Sequence, residues 1–230
     1  MGRTFNGSSD YLKRATALIT AAPFTVSCWY KASVNTNTRT LWSFGDTATD
    51  DYYWRAVHYD SAGTRGLGAQ ATAVSSATSD YSGSPEGTWT HSAMVEASSS
   101  SRTCYVNGTA ATANTTNKTP TGIDTVVLGR LERATPTHYF GGDLAEFAIW
   151  NIALSGAQIS SLAAGANPQT IELANLVAYW TITGTTSPEV DVIAAYELAV
   201  TGTSASSNHP TIDAYGGGGS TFVPQVIMVL

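Results

Sequence analysis

The sequence predicts an all-β protein, folded as a two-sheet antiparallel sandwich with one short helix near residues 155–164. Alternating apolar and polar runs are separated by turn signals about every 8 to 12 residues, which is the spacing found in β-sandwiches. One strand, at 143–151, carries bulky apolar groups on both faces and must therefore be covered on both sides. Directly after this strand the apolar period changes from two to about 3.6, which indicates a helix.

The predicted strands follow one another regularly along the chain. In the first long strand, Phe24, Val26 and Tyr30 share one face. Asn107 and Gly108 form the strongest hairpin signal, because both residues tolerate a positive φ. A further hairpin after residue 187 is expected to close the domain. The strands are predicted at 24–32, 39–45, 52–59, 89–97, 103–106, 123–128, 143–151 and 176–184.

The predicted helix has a complete set of start and stop signals. Ser155 can cap the free amides while Gln158 reaches back to it, which is a capping box. Leu154 and Ile159 are placed for a hydrophobic staple, and Gly165 suits a left-handed exit. A helix of about three turns is not stable alone, so it must lie on a larger β body.

The composition limits the classes of partner. Charged residues make up 12% of the 230 residues, about half the usual share, so Ser, Thr, Asn and Gly must cover much of the surface. The net charge of −6 and the lack of a basic run argue against nucleic acid. No apolar run approaches 18 residues, so no membrane helix is expected. The first residues have no apolar signal-peptide core, so synthesis in the cytosol is expected if Met1 is the native start.

Six stretches of the sequence occur in the order that they have in a known family. They are F-N-G-S-S-D-Y-L, F-T-V-S-C-W-Y-K-A, W-T-H-S-A-M-V-E-A, C-Y-V-N-G-T, V-V-L-G-R and G-G-D-L-A-E-F-A-I-W-N-I-A-L-S. Over residues 3–182 the chain resembles the laminin G-like, pentraxin-like jelly rolls of the concanavalin A-like class. The resemblance implies a jelly-roll topology for the sandwich, but a fold does not determine an activity.

The C-terminal part of the chain has a different character. We expect a jelly-roll domain over 1–202, a Gly-rich linker over 203–220 and a separate β-strand over 221–230. That last strand is apolar and would promote aggregation as a free tail, so we expect it to act as an assembly arm. An edge strand of its own sandwich and an engineered remnant are the alternatives. The residues of the arm are Phe222, Val223, Val226, Ile227, Val229 and Leu230.

The sequence contains no recognisable catalytic motif. Asp143 and Glu146 lie on opposite faces of one strand, so they cannot converge on a glycosidic bond. No nucleophile elbow or phosphate-binding loop is present, and the four histidines lie far apart in the sequence. We therefore predict that the protein is not an enzyme and has no catalytic residues.

Calcium is the one candidate cofactor, and otherwise none is expected. The resemblance implies a calcium site built from two loops, because pentraxin-like relatives hold calcium in this way. The second loop supplies one carboxylate between two arginines, Arg130 and Arg133, which favours an ion pair over a site with the six to eight oxygens that calcium needs. The metal-ligand candidates are Asp46, Asp50 and Asp51 of the first loop and Glu132 of the second.

A sugar site is predicted at the start of one strand. Asp51, Tyr52, Tyr53 and Trp54 combine a carboxylate with aromatic rings, which is typical of glycan recognition. The alternative is an ordinary strand with Tyr52 and Trp54 on one face and Tyr53 on the other.

The two cysteines are expected to be separate buried thiols. The family resemblance implies a disulfide as the alternative, and Cys28 lies near the first cysteine position of that family. Cys104, however, lies later than the second position.

Two functions are predicted. The tail motifs L-V-A-Y-W, S-P-E-V-D, T-G-T and H-P resemble those of laminin G-like proteins from bacteriophages and marine bacteria. This resemblance implies a virion structural protein, a capsid decoration or fibre component on the virion surface. Such a protein would dock on capsid or other virion proteins through its C-terminal strand and form a homo-oligomer. The alternative is an adhesion module that binds host-surface polysaccharide, and neither function involves nucleic acid or membrane.

Overall fold

The computed structural model describes residues 2–33, 38–61 and 64–214 of the chain. Within these residues the protein is a sandwich of two antiparallel sheets with eight strands each. The predicted fold class is confirmed. No helix in the described parts of the chain has the length and apolar character needed to cross a bilayer.

Sixteen strands and one α-helix make up the described fold, together with two 3-10 turns at Pro168–Thr170 and Leu173–Asn175. The elements are β1 (Arg3–Asn6), β2 (Tyr11–Arg14), β3 (Phe24–Ala32), β4 (Arg39–Gly45), β5 (Tyr52–Ser61), β6 (Thr64–Ala73), β7 (Ser75–Ser82), β8 (Thr90–Ser98), β9 (Ser101–Val106), β10 (Thr109–Ala110), β11 (Thr125–Leu128), β12 (Gly141–Trp150), α1 (Gly156–Ala163), β13 (Leu176–Trp180), β14 (Glu189–Val190), β15 (Glu197–Thr201) and β16 (Ser204–Ala205).

The strand order of the two sheets follows from their backbone pairing. Sheet 1 has the order β10-β9-β8-β3-β12-β1-β16, and β13 also pairs with β12. Sheet 2 has the order β14-β15-β2-β11-β4-β5-β6-β7. The predicted closing hairpin is present as β14 and β15, and β15 joins sheet 2 by pairing with β2.

The helix α1 begins and ends as its sequence predicts. The Ser155 hydroxyl accepts a hydrogen bond from the Gln158 amide at 3.3 Å, and the Gln158 side chain accepts one from the Ser155 amide at 2.8 Å. These two bonds are the predicted capping box. Gly165 follows the helix with a φ of +104°, a left-handed conformation that suits glycine.

Aromatic side chains fill the space between the sheets. Phe24 and Trp54 meet edge to face with ring centroids 5.3 Å apart, and Phe147 packs near Trp42 at 6.3 Å. Burial of each such side chain contributes roughly 2–3 kcal/mol. On the other side of β12, Trp150 lies in a second apolar cluster beneath α1. The strand is therefore covered on both faces, as predicted.

Two strands of sheet 2 were not predicted from the sequence. The segments Thr64–Ala73 and Ser75–Ser82 form β6 and β7, where the sequence shows mainly Gly, Ala, Ser and Thr. These small residues lack the bulky apolar alternation that identifies a strand. Pairing decides their structure instead, since β6 pairs with β5 along its whole length and β7 pairs with β6.

Part of the predicted linker lies against the sandwich. Ser204–Ala205 pairs with β1, the Gly2 amide donates to the Asn208 carbonyl at 3.0 Å, and the Asp213 amide donates to the Gly165 carbonyl at 2.8 Å. The predicted arm over 221–230 and the glycine run before it lie outside the described residues. The division of the chain into domain, linker and arm stays a prediction.

Candidate functional site

Two of the predicted metal ligands of the first loop accept hydrogen bonds from backbone amides, one within that loop and one in the second loop. Asp46 accepts a hydrogen bond from the Ala48 amide at 2.8 Å, and Asp50 accepts one from the Thr135 amide at 2.8 Å. Asp51 is exposed. These bonds hold the turn between β4 and β5 in place.

Glu132, the fourth metal candidate, is buried between two cations. Its carboxylate lies 2.6 Å from Lys13 Nζ and 2.7 Å from Arg130 Nε. The predicted ion pair is therefore present, but Arg133 pairs with Asp50 at 3.5 Å instead of with Glu132. Within residues 2–33, 38–61 and 64–214, no three His, Cys, Asp or Glu side chains gather as a metal site would require.

Strand β5 separates the four residues that were predicted to bind sugar. Trp54 points into the core, where it packs on Phe24, and Tyr52 shares that face by alternation. Tyr53 points to the side of sheet 2 opposite to Trp54, where it is buried with 6% of its surface exposed. The structure therefore brings Tyr53 together with residues of β6 and β7, and it leaves Asp51, Tyr52 and Trp54 outside that group.

The outer surface of β5, β6 and β7 carries a group of polar and aromatic side chains, which we call the β5–β7 face. The pairing register places one residue of each strand side by side in four successive rows. The residues of the face are Tyr53, Arg55, Val57, Tyr59, Gly66, Gly68, Gln70, Thr72, Ser76, Thr78, Asp80 and Ser82.

A chain of hydrogen bonds runs across the middle of the β5–β7 face. Arg55 Nε donates to Gln70 Oε1 at 2.6 Å, and Gln70 Nε2 donates to Thr78 Oγ1 at 3.0 Å. Arg55 also donates to Thr40 Oγ1 at 3.2 Å and lies 5.5 Å from the ring centroid of Tyr53. Burial lowers the pKa of Arg55 to about 10, so its guanidinium is still charged at neutral pH. The guanidinium and the amide are thus held in fixed positions.

Glycines in β6 give the face its second aromatic group. A Cβ atom on Gly66 would lie 2.4 Å from the phenol of Tyr59, so only glycine lets this ring lie against the strand. Tyr59 is half-buried and hydrogen bonds to Asp80. Burial raises the pKa of Asp80, while the bond from Tyr59 acts in the opposite direction. Burial also raises the pKa of Tyr59, and the negative charge of Asp80 adds to that effect.

One loop residue borders the face from the side of β4. His138 is half-buried, and its pKa is lowered first by burial and then by the charges of Arg55 and Arg133. Its imidazole is therefore neutral at neutral pH and can donate or accept a hydrogen bond.

The β5–β7 face suits binding better than catalysis. It offers a guanidinium, an amide, hydroxyls and one carboxylate between two tyrosine rings, which are the groups that bind polyhydroxylated ligands. Asp80 is its only carboxylate, whereas glycoside hydrolysis uses a pair. Sequence reasoning missed this face because β6 and β7 were not recognised as strands. The signal available was the alternation of Gly66, Gly68 and Gln70 with the buried residues Leu67 and Ala69.

Two packed antiparallel sheets with α1 on one of them define a lectin-like β-sandwich protein. Residues 6–160 match the family described as the concanavalin A-like lectin/glucanases superfamily, and the chain belongs to that family. The predicted resemblance is therefore confirmed. Comparison with curated protein sequences gave no match.

Several solved structures are similar to this chain in fold. A heptameric SAP-like pentraxin from Limulus polyphemus has 22% sequence identity and a TM-score of 0.60, over 70% of this chain and 81% of that chain. A putative carbohydrate binding protein from Bacteroides ovatus has 17% identity and a TM-score of 0.63, over 93% of this chain and 61% of that chain. The CBM40 of a Ruminococcus gnavus sialidase, bound to α2,3 sialyllactose, has 18% identity and a TM-score of 0.57, over 70% and 96%. At these identities the likeness shows the fold.

Proposed function

We propose that this protein is a non-catalytic carbohydrate-binding domain and that it holds glycan on the β5–β7 face. The observation that carries the proposal is the hydrogen-bonded row of Arg55, Gln70 and Thr78, with Tyr53 and Tyr59 on either side. The Bacteroides ovatus and Ruminococcus gnavus proteins support it, because one is named a carbohydrate binding protein and the other holds sialyllactose.

The chemistry of the row matches that of sugar hydroxyls. A hydroxyl both donates and accepts, so neighbouring hydroxyls pair well with an amide or a guanidinium fixed in one plane. Gln70 uses its carbonyl toward Arg55 and its amide toward Thr78, which leaves one amide proton and one lone pair. Gln70 is 9% exposed and Arg55 is 7% exposed, so a ligand would reach these groups at the edge of a mostly buried row. The half-buried ring of Tyr59 offers an apolar surface for the C–H face of a sugar.

The absence of catalysis is part of the proposal. Cleavage of a glycosidic bond needs an acid and a second carboxylate about 5 to 9.5 Å apart. The β5–β7 face has Asp80 alone, and Asp80 is already bonded to Tyr59. Binding without cleavage is what this set of groups supports.

The virion role remains a prediction. It rests on the resemblance of the tail and on docking by residues 221–230, which lie outside the described residues. No contact in the described parts of the chain favours it over carbohydrate binding. Adhesion to a surface polysaccharide is therefore the function that we put first.

A glycan array followed by calorimetric titration of the best ligand tests the proposal. Gln70→Ala removes the centre of the row and should weaken binding about 10-fold or more, the loss expected for one or two buried hydrogen bonds. Gln169→Ala is the matched control, because Gln169 lies in the 3-10 turn Pro168–Thr170, away from sheet 2. The proposal fails if the protein binds no glycan, or if Gln70→Ala binds as tightly as the control.

A further inference from the structure

A cavity lies at the end of the sandwich, and we call it the end cleft. Its volume is about 400 Å³, within the range of small-molecule pockets. It opens where β3 begins and β8 ends. Its lining includes Pro23, Trp54, Glu96, Ala97, Ser99 and Lys118. Trp54 reaches it from the face of β5 opposite to Tyr53 and Arg55, so the cleft is separate from the β5–β7 face.

The end cleft has polar groups in an otherwise apolar lining. Glu96 is fully buried and is held by Arg102 through two contacts of 3.1 Å. The Trp54 indole N–H is buried and makes no hydrogen bond of normal geometry within residues 2–33, 38–61 and 64–214. It is close enough to Glu96 to favour the charged carboxylate. A buried donor without a full partner is unfavourable, so a ligand that accepts from Trp54 would gain by binding here.

The charges around the cleft select against cationic ligands. Arg102 pairs with the buried Glu96 carboxylate, so these two charges offset each other. Lys118 adds a positive charge at the cleft, which a cation would meet. A neutral ligand with hydroxyl groups meets no such repulsion, and it can accept from Trp54 and donate to Glu96.

The apolar part of the lining favours a ligand with one non-polar side. Pro23 and Ala97 are exposed and form walls without hydrogen-bonding side chains. The C–H face of a sugar ring fits such walls while its hydroxyls reach the buried polar groups. We propose that the end cleft is a second sugar-binding site, for one or two sugar residues that carry no positive charge. This proposal rests on the proposed function, since it takes glycan as the class of ligand.

The test observes the Trp54 indole directly. The ¹H–¹⁵N signal of the Trp54 indole in the full chain is assigned by comparison with Trp54→Phe. The protein is then titrated with a panel of neutral monosaccharides and disaccharides, and with the corresponding amino sugars. At least one neutral sugar should shift the Trp54 signal, and its amino-sugar counterpart should shift it less.

Two variants that replace an alanine by tryptophan distinguish binding in the cleft from binding elsewhere on the surface. Ala97→Trp places a large side chain in the cleft and should abolish the shift. Ala194→Trp makes the same change at an exposed position between β14 and β15 and should leave the shift intact. The proposal is overturned if no neutral sugar moves the Trp54 signal, if Ala97→Trp keeps the full shift, or if an amino sugar moves it more.

Gln70→Ala distinguishes a failure of this proposal from a failure of the proposed function. If Gln70→Ala weakens glycan binding but no sugar moves the Trp54 signal, the cleft site is overturned and the site on the β5–β7 face is supported. If a sugar moves the Trp54 signal but Gln70→Ala does not weaken any binding, the cleft site is supported and the proposed site on the β5–β7 face is overturned.

Discussion

Arg102 offers the sharpest test of how this sandwich is stabilised. It is fully buried, and its guanidinium makes two contacts with Glu96 and further hydrogen bonds to Asn114 Oδ1 and to the carbonyls of Ser99 and Thr116, all between 3.0 and 3.1 Å. One side chain thus joins β8, the β8–β9 turn and the polar connection after β10. Arg102→Met keeps a similar length and removes every one of these bonds.

The expected loss is large because Glu96 stays behind. Removal of one partner of a buried ion pair costs about 3–5 kcal/mol, and a whole domain is stable by only about 5–15 kcal/mol. Burial already raises the pKa of Glu96, and Arg102 is the main group that opposes this rise. Without Arg102 the pKa of Glu96 should rise further.

The sign of the pH dependence follows from that shift. A carboxyl whose pKa is higher in the folded than in the unfolded state binds more protons when folded. The free energy of unfolding therefore falls as the pH rises from the unfolded pKa through the folded pKa. The loss in free energy of unfolding caused by Arg102→Met should therefore be smallest at acid pH and largest at neutral pH.

Urea unfolding followed by tryptophan fluorescence measures these differences. Arg133→Met is the control, because its pair with Asp50 is partly exposed and should contribute less than about 1 kcal/mol. The double variant Glu96→Leu/Arg102→Met removes both charges and should recover most of the loss. A free energy of unfolding of Arg102→Met within about 1 kcal/mol of wild type at neutral pH, or a double variant less stable than the single one, would contradict this prediction.

Three further predictions concern burial and space. Burial lowers the pKa of His91 from 6.5 to about 3, so the free energy of unfolding should fall as the pH falls through this window. His91→Gln should reduce that loss of stability by up to ~4 kcal/mol, measured by urea unfolding at several pH values. An unchanged dependence of stability on pH in this variant would contradict the prediction. Gly66→Ala should displace Tyr59 and weaken glycan binding roughly 5-fold by calorimetry. Gly156→Ala should not, because its Cβ atom would lie at an ordinary contact distance, 3.9 Å, from the Tyr105 hydroxyl; equal affinities of the two variants would count against a role for Tyr59. Both cysteines are buried and free, and burial raises the pKa of both thiols. Neither thiol should react with a disulfide reagent until urea unfolds the chain, and rapid labelling of the native protein would refute this.

The parts of the fold that were predicted correctly depend on local signals. The capping box of Ser155 and Gln158 involves residues three positions apart, and the two apolar faces of β12 are visible within one strand. Such signals are present in the sequence because the interacting groups are neighbours in the chain. The thiol prediction for Cys28 and Cys104 is confirmed in the same way, since both lie on apolar faces of strands.

The candidate sites depend on contacts that are distant in the sequence. The neighbours Tyr53 and Trp54 look like parts of one site, but strand alternation sends them to opposite faces of β5. Gln70 lies 15 residues from Arg55 and 8 from Thr78, and only the register of β6 with β5 and β7 brings the three together. Nothing in the composition of β6 identifies that register, because its glycines and alanines are compatible with a loop.

The sequence by itself determined the fold class, the helix with its caps, the buried thiols and the family to which the chain belongs. Periodicity, capping and motif order are properties of short stretches, so they can be recognised without a structure. The tertiary structure alone decided which side chains share a surface. Strand pairing is a long-range choice made by the packing of two whole sheets, and it places Arg55 beside Gln70 and the indole of Trp54 beside Glu96.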